Sequence, residues 1–284
     1  MQDTAFYEKK IQQLFNPKMP AMVMGILNIT TDSFFDGGLY LSEIQLIKKA
    51  FDMQKQGADI IDIGACSTRP GAEQVPLEQE LERIVKAVKA IKKNVPQVLI
   101  SVDTYRSKVA EVAVKSGAHI INDISGGTMD PAMFKTIARL KVPYVLMHIQ
   151  GTPQTMQQNP VYDNVVQDVL AFFNKKIAEL NALGVSKIII DPGFGFGKTV
   201  EHNYNIINEL ESFGAFKFPV LVGVSRKSMI YKVLDITPAD ALNGTSVLNY
   251  IALQKGARIL RVHDVKEAKE VVQLASYISN LKIK

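Results

Sequence analysis

The feature that most constrains this chain is a beat repeated along its length: an apolar run, a polar loop, then a stretch with helical period. The apolar runs fall at residues 22–27, 59–64, 98–102, 119–124, 144–147, 187–190, 220–224 and 258–262. Between them, 42–56 reads as a helix with Ser42 as N-cap and Ile44, Ile47 and Phe51 on one face. Residues 77–93 place Leu81, Ile84, Val88 and Ile91 on another. Four helices end in one junction, Gly57-Ala58, Gly117-Ala118, Gly184-Val185 and Gly256-Ala257. Glycine just past a helix, followed directly by a strand, is an economical αβ turn. Strands alternating with helices imply a parallel sheet. Eight such units match an α/β fold of the closed (β/α)8 TIM-barrel type. An open doubly wound sheet usually has fewer strands and a Gly-rich first turn, whereas the first turn here, 28–40, is long and polar. No linker-like shift divides the chain, so one domain is expected over 1–284, with its core at about 20–275 and a short helix leading it. The Gln- and Pro-rich loop 150–163 reads as an excursion on the active face.

The stretch 187–198, KIIIDPGFGFGK, shows how such a unit ends. Three isoleucines suit a strand buried on both faces. Asp191 stops the run, Pro192 cannot extend a ladder, and Gly193, Gly195 and Gly197 free the backbone to turn. The reading is one acid at a strand end inside a mobile collar that carries Phe194 and Phe196. Gly197-Lys198-Thr199 is not a phosphate-cradling P-loop, because Pro192 stands where that motif requires glycine. The spacing is also not the Gly-x-Gly-x-x-Gly of a dinucleotide site.

Composition narrows the partners. The lone cysteine, Cys66, excludes an intrachain disulfide and suits a reducing compartment, so a cytoplasmic location is expected. The first twenty residues are charged throughout, and neither a signal peptide nor a membrane span is expected. The net charge of +5 is spread along the chain rather than gathered in a stripe with aromatics, which argues against nucleic acid. Anionic small molecules are the simpler reading.

In a barrel the residues that end each strand converge on one face. Those positions hold Asn28, Asp62, Asp103, Asn122, Met147-His148, Asp191, Ser225-Arg226-Lys227 and Arg261-Val262-His263. A single Asp or Asn at a strand end is most often a cap or turn former, and Asp62 is read as structural. His119 and His202 read as surface or packing residues; His148 is left open. As a set, Asp103, Asn122 and Asp191 suit a planar, nitrogen-rich ring, because a carboxylate takes two N–H donors from a 2-amino-pyrimidinone edge. Asn28, Arg261, His263 and Arg69 suit a phosphate-type group and its Mg²⁺, although a solvated strand end would also account for Arg261 and His263. Their i, i+2 spacing places both on one side of a strand. Lys227 could serve either half. Two loops read as lids: 28–38, with Phe34 and Phe35, and 66–75, with Ser67, Thr68 and Arg69 before Pro70-Gly71.

The segments MGILNITTDSFFDGG, DIGACSTRPGAEQV, SVDTYRS, INDISGG, MHIQGTPQTMQ, IIIDPGFGFGK, VGVSRKS and RVHDV occur in this order over about 20–275. In these the chain resembles the dihydropteroate synthase family, the folate-pathway transferases that sulfonamides inhibit. The resemblance implies a TIM barrel, a homodimer, and condensation of 6-hydroxymethyl-7,8-dihydropterin diphosphate with 4-aminobenzoate to give 7,8-dihydropteroate and pyrophosphate. By position, it assigns Asp103, Asn122, Met147, Asp191 and Lys227 to the pterin, with Asp103, Asp191 and Lys227 catalytic. It assigns Asn28 to Mg²⁺, Asn28, Thr68, Arg69, Arg261 and His263 to the diphosphate, and Thr68, Pro70, Phe196, Ser225 and Lys227 to the aminobenzoate. No covalent enzyme intermediate is needed, so Cys66 is expected to be inert. A pterin-binding methyltransferase domain and a non-catalytic pterin-binding protein are the alternatives; the STRPG loop, the VSRK segment and the complete set of leaving-group ligands disfavour them.

Overall fold

Eight parallel strands close into a barrel in chain order, β8 returning to β1. They are β1 (Met22–Asn28), β2 (Ile60–Gly64), β3 (Leu99–Asp103), β4 (Ile120–Asp123), β5 (Tyr144–Met147), β6 (Ile188–Asp191), β7 (Val220–Val222) and β8 (Ala257–Val262). This computed structural model describes residues 2–29, 39–66 and 75–281. Helix α1 (Gln2–Phe15) precedes the barrel. Around it run α2 (Leu39–Lys55), α3 (Leu77–Asn94), α4 (Ser107–Ser116), α5 (Met133–Leu140), α6 (Val165–Ala182), α7 (Val200–Asn208), α8 (Ser228–Leu234), α9 (Leu242–Gln254) and α10 (Val265–Leu281). The (β/α)8 expectation is met, and the four Gly junctions are left-handed, with φ between +78° and +119°.

Side chains alternate across each strand, and here the alternation separates two cores. Outward residues such as Leu27, Ile61, Val102, Ile121, Leu146, Ile190, Val222 and Leu260 pack under the helices. Inward residues change character along the barrel axis. At the N-terminal end Met24, Ile60, Leu99, Ile120, Val145, Ile189, Leu221 and Ile259 form an apolar plug, sealed from below by Tyr7, Ile11, Leu14 and Phe15 of α1. One step further along, the same inward rows carry Asp62, Ser101, Asn122, Met147, Asp191 and Arg261. The interior is therefore dry at one end and polar at the other, and the polar end is where the strands finish.

Two histidine expectations hold. His119 lies at the plugged end, its ring 4.2 Å from that of Tyr7, its Nδ1 accepting from the Ile100 amide at 3.0 Å. His202 closes a capping box with Thr199 at the start of α7. Some boundaries move. Helix α2 begins at Leu39, so Ser42 lies inside it rather than capping it. Strand β7 stops at Val222, not residue 224, and Asp103 and Asp191 are the last residues of their strands rather than the first beyond them. The lid residues Phe34, Phe35, Ser67, Thr68, Arg69, Pro70 and Gly71 lie outside the described residues.

Candidate active site

Arg261 organises the floor. Its Nε donates to Asp62 Oδ2 at 2.8 Å and its Nη2 to Asp103 Oδ2 at 2.9 Å, joining β8 to β2 and β3 across the barrel. Asn122 adds β4, donating to the same Asp62 oxygen at 2.9 Å. Burial works against the guanidinium charge, but Asp62 and Asp103 outweigh it and the Arg261 pKa is raised. Asp103 is raised as well, by burial first, with Arg261 pulling back and Asp62 pushing further. Asp62, read from sequence as structural, is fully buried at the centre of this network. Among the described residues, Asp62 Oδ1, Asn122 Oδ1 and Ser101 Oγ are buried without a hydrogen-bond partner. Buried polar atoms are ordinarily satisfied, so the floor has bonding capacity left for a ligand rich in donors.

Asp191 stands beside this floor at the end of β6. Its Oδ1 accepts from the Gly193 amide at 2.8 Å. Burial raises its pKa, and the Lys227 charge resists that rise. Lys227 is lowered to about 8, burial being the main cause and Asp191 opposing it. The Lys227 ammonium donates to the Phe194 carbonyl and sits 4.7 Å above the centre of the Phe196 ring. Phe194 is core, whereas Phe196 joins Ile124, Met147, Ile149, Met156 and Tyr105 in a small apolar group.

The collar expected to be mobile is tied down from several sides. Gln157 donates to Gly195 O at 2.7 Å and Tyr162 Oη to Gly197 O at 2.7 Å, so the 150–163 excursion lies against it. Asn203 Oδ1 receives the Gly195 amide at 2.7 Å. From inside, the Lys198 ammonium is shared among His148 Nδ1, Gly193 O and Phe196 O. Sequence reasoning did not single out Lys198, and it left His148 open. Burial, and next the Lys198 charge, pushes His148 down to about 2, so its ring is neutral. Burial likewise lowers Lys198 to about 7, against the pull of Asp191.

On the rim, Ser225 Oγ and His263 Nδ1 are 3.0 Å apart, and the His263 amide donates to the same Ser225 oxygen at 3.2 Å. Burial, helped by the Arg261 charge, lowers His263 to about 4. Arg226, between Ser225 and Lys227, turns away. It holds Asp264 with two bonds at 2.8 and 2.9 Å and donates to Pro238 O at 2.9 Å, in a left-handed conformation at φ +54°. That kink lets its two neighbours address the site while it braces the loop. Asn28 is exposed at the end of β1. A Cβ on neighbouring Gly64 would lie 3.3 Å from Asn28 Oδ1 and 3.7 Å from Asp103 Cβ, so the glycine keeps a gap between these oxygen donors.

Cys66 is not part of this chemistry. Burial and the carboxylate of Glu80, to which the thiol donates, push its pKa up to about 12. Glu80 also accepts from Thr104 and Arg106, each at 2.7 Å. At pH 8 on the order of one thiol in ten thousand is a thiolate. Native protein is expected to resist iodoacetamide and to label only when unfolded, as read by intact mass. Rapid native labelling would contradict this geometry.

The polar end therefore gathers Asp62, Asp103, Asn122, Asp191, Lys227 and Arg261, drawn from six of the strands and their loops, with Ser225, His263 and Asn28 at its rim. Comparison with known proteins agrees with that picture. Residues 24–263 match the family of pterin binding enzymes. Escherichia coli dihydropteroate synthase is 46% identical over 254 residues, 89% of each chain. The Yersinia pestis dihydropteroate synthase structure with a sulfonamide drug has a TM-score of 0.85 at 40% identity, covering 92% of this chain and 95% of that one. The Xanthomonas albilineans dihydropteroate synthase structure with 4-aminobenzoic acid has a TM-score of 0.84 at 35% identity, covering 93% and 94%. The chain belongs to the pterin binding enzymes, and within them to the dihydropteroate synthases.

Proposed function

We propose that this protein is a transferase of folate biosynthesis that joins 6-hydroxymethyl-7,8-dihydropterin diphosphate to 4-aminobenzoate, releasing pyrophosphate. The observation that carries this reading is the barrel mouth, where three carboxylates and an amide share one floor with two cations. The pterin ring presents several N–H donors on its edge. Asp103, Asp191 and Asn122 supply acceptors for them, and a charged acceptor makes the stronger bond. Lys227 and Arg261 keep the carboxylates from accumulating unopposed charge.

The chemistry follows from where charge develops. As the bond from the pterin methylene carbon to the diphosphate breaks, positive charge spreads into the pterin and negative charge grows on the leaving group. Asp103 and Asp191 stabilise the first, and Arg261 and His263 line the exit for the second. His263 acts there as a neutral donor, given its low pKa. The uncharged amine of 4-aminobenzoate then attacks the methylene carbon and loses a proton. Phe196 and Lys227 offer the aromatic acid a ring face and a cation for its carboxylate; Ser225 lies on the adjoining loop. Thr68, Arg69 and Pro70 are assigned to the same two substrates on resemblance alone.

Magnesium fits as a partner of the substrate. Among the described residues no group of three His, Cys, Asp or Glu side chains could hold a metal. Mg²⁺ commonly takes one or two protein oxygens and completes its shell with phosphate and water. Asn28 Oδ1 offers one such oxygen beside Asp103. When bound, the ion would neutralise diphosphate charge. Chelation with EDTA is expected to abolish turnover while unphosphorylated 6-hydroxymethylpterin still binds, as read by its fluorescence; loss of both would argue against a metal that serves only the diphosphate.

A homodimer is also proposed. Helices α8, α9 and α10 pack side by side and leave Val233, Val247, Leu274, Tyr277 and Leu281 exposed, an apolar surface suited to a second copy. Among the described residues no helix is long and apolar enough to cross a membrane. The lone cysteine suits the cytoplasm. The reading is tested by supplying both substrates with Mg²⁺ and measuring both products. Pyrophosphate and 7,8-dihydropteroate are expected in equal amounts, with sulfonamides competing against aminobenzoate. Pterin binding without turnover, or transfer of a methyl group instead, would refute it.

A further inference from the structure

Lys198 is only 3% exposed, and its ammonium is fully occupied. An ammonium has three donors. Here they meet His148 Nδ1 at 2.9 Å, Gly193 O at 3.0 Å and Phe196 O at 3.1 Å. The His148 end is itself fixed. Its amide donates to Asp191 O at 3.0 Å, continuing the β5–β6 ladder, and its ring stands edge-on to Phe172 with centroids 5.0 Å apart. The collar is pressed against this residue: a Cβ on Gly193 would lie 1.9 Å from His148 O, at φ +72°. No other residue type fits there.

The two carbonyls that Lys198 holds bracket the turn from Gly193 to Phe196, itself closed by the Phe196 amide on Gly193 O at 3.1 Å. At one end of that turn the Gly193 amide addresses Asp191. At the other, the Phe196 ring lies beneath the Lys227 ammonium. A buried lysine placed only for packing would not need all three donors aimed at one turn and its neighbouring strand. We infer that Lys198, seated on His148, is a positioning residue for the aminobenzoate subsite: it sets the carbonyls of the 193–196 turn so that the Phe196 ring and Lys227 face the second substrate as a preformed pair. The inference rests on the synthase reading above.

The test uses Lys198→Met, which keeps length and loses every donor, and Lys198→Gln, which retains two. Steady-state kinetics are measured with each substrate varied, and hydrogen exchange is followed by mass spectrometry on the peptide spanning 188–199. The expected result for Lys198→Met is a rise in the aminobenzoate KM of about tenfold or more. The pterin diphosphate KM should stay within about threefold, the collar amides should exchange faster, and Lys198→Gln should fall between. Unchanged KM values, equal rises in both, or faster exchange throughout the barrel would each overturn the inference. Should Lys198→Met not fold, Lys198→Gln is read against the same outcomes. A failure of the synthase reading itself would appear in the wild-type protein as absence of product, whereas the exchange measurement reports on the collar independently of turnover.

Discussion

Asp191→Asn is expected to lower kcat/KM by about three orders of magnitude while leaving the fold intact. Asparagine retains an oxygen for the Gly193 amide, so the collar keeps its anchor. Among the described residues no hydrogen bond occupies the second Asp191 oxygen, and in the proposed reading that oxygen accepts from the pterin. Replacing it with an amide nitrogen removes a charged acceptor and sets donor against donor. Hydrogen bonds to charged groups contribute about 1.5–3 kcal/mol each. Losing that charged acceptor, together with stabilisation of the cationic pterin, comes to about 4 kcal/mol, or roughly a thousandfold in rate. The residual activity carries a second signature. Asp191 is the group that holds the proton on Lys227, whose pKa is already down at about 8, and it does the same for Lys198 at about 7. Without the carboxylate both lysines deprotonate at lower pH, so the alkaline limb of the rate profile should move to lower pH. An unmoved limb, or activity within tenfold of wild type, would count against the assignment.

Arg261→Met is expected to be the most destabilising single change at the site. It strands Asp62, which is wholly buried, and Asp103 with no cation between them. Removing one partner of a buried ion network costs about 3–5 kcal/mol, a fall in Tm of about 5–8 °C for a chain of this size. The pH dependence follows from the direction of the carboxyl shift. Asp103 already has a raised pKa, and losing Arg261, which pulls it down, raises it further. A carboxyl raised in the folded state contributes stability that is intact below the unfolded value, about 4, and lost as pH rises through the folded one. Wild-type Asp103 already ionises only at about 7, so the extra deficit of the variant should be small up to neutral pH, open as pH rises past about 7, and be full above the variant's higher value. Adding Asp62→Asn should return much of the loss. A deficit independent of pH would mean that Arg261 acts by packing alone.

The barrel was legible because its signals are local and repeated. Each strand is a short apolar run, and each αβ junction a glycine whose backbone must be left-handed. The site was legible as a set, because parallel strands of similar length end on one face. What escaped was direction and partnership. Asp62 sits in an apolar run and reads as structural, since only the inward parity of Ile60, Asp62 and Gly64 shows that it faces the barrel axis. Arg261 reads as a phosphate ligand, and nothing in the sequence shows that two carboxylates from distant strands also engage it. Lys198 enters the sequence reading only in the excluded P-loop pattern; its acceptor His148 is fifty residues away. Arg226 falls among the strand-end positions between Ser225 and Lys227, and its left-handed backbone turns it toward Asp264. Sequence separation hides each of these pairings.

The central claim is that residues from separate strands make one pterin pocket at the polar end of the barrel, and equilibrium binding of the pterin diphosphate tests it most directly. Asp103→Asn, Asn122→Ala, Asp191→Asn and Lys227→Met should each raise Kd by about tenfold or more, while His119→Gln, at the plugged end, should bind like wild type. If two of the four bound normally, or if the His119 variant were weakened as much as they are, the pocket described here would not be where the pterin sits.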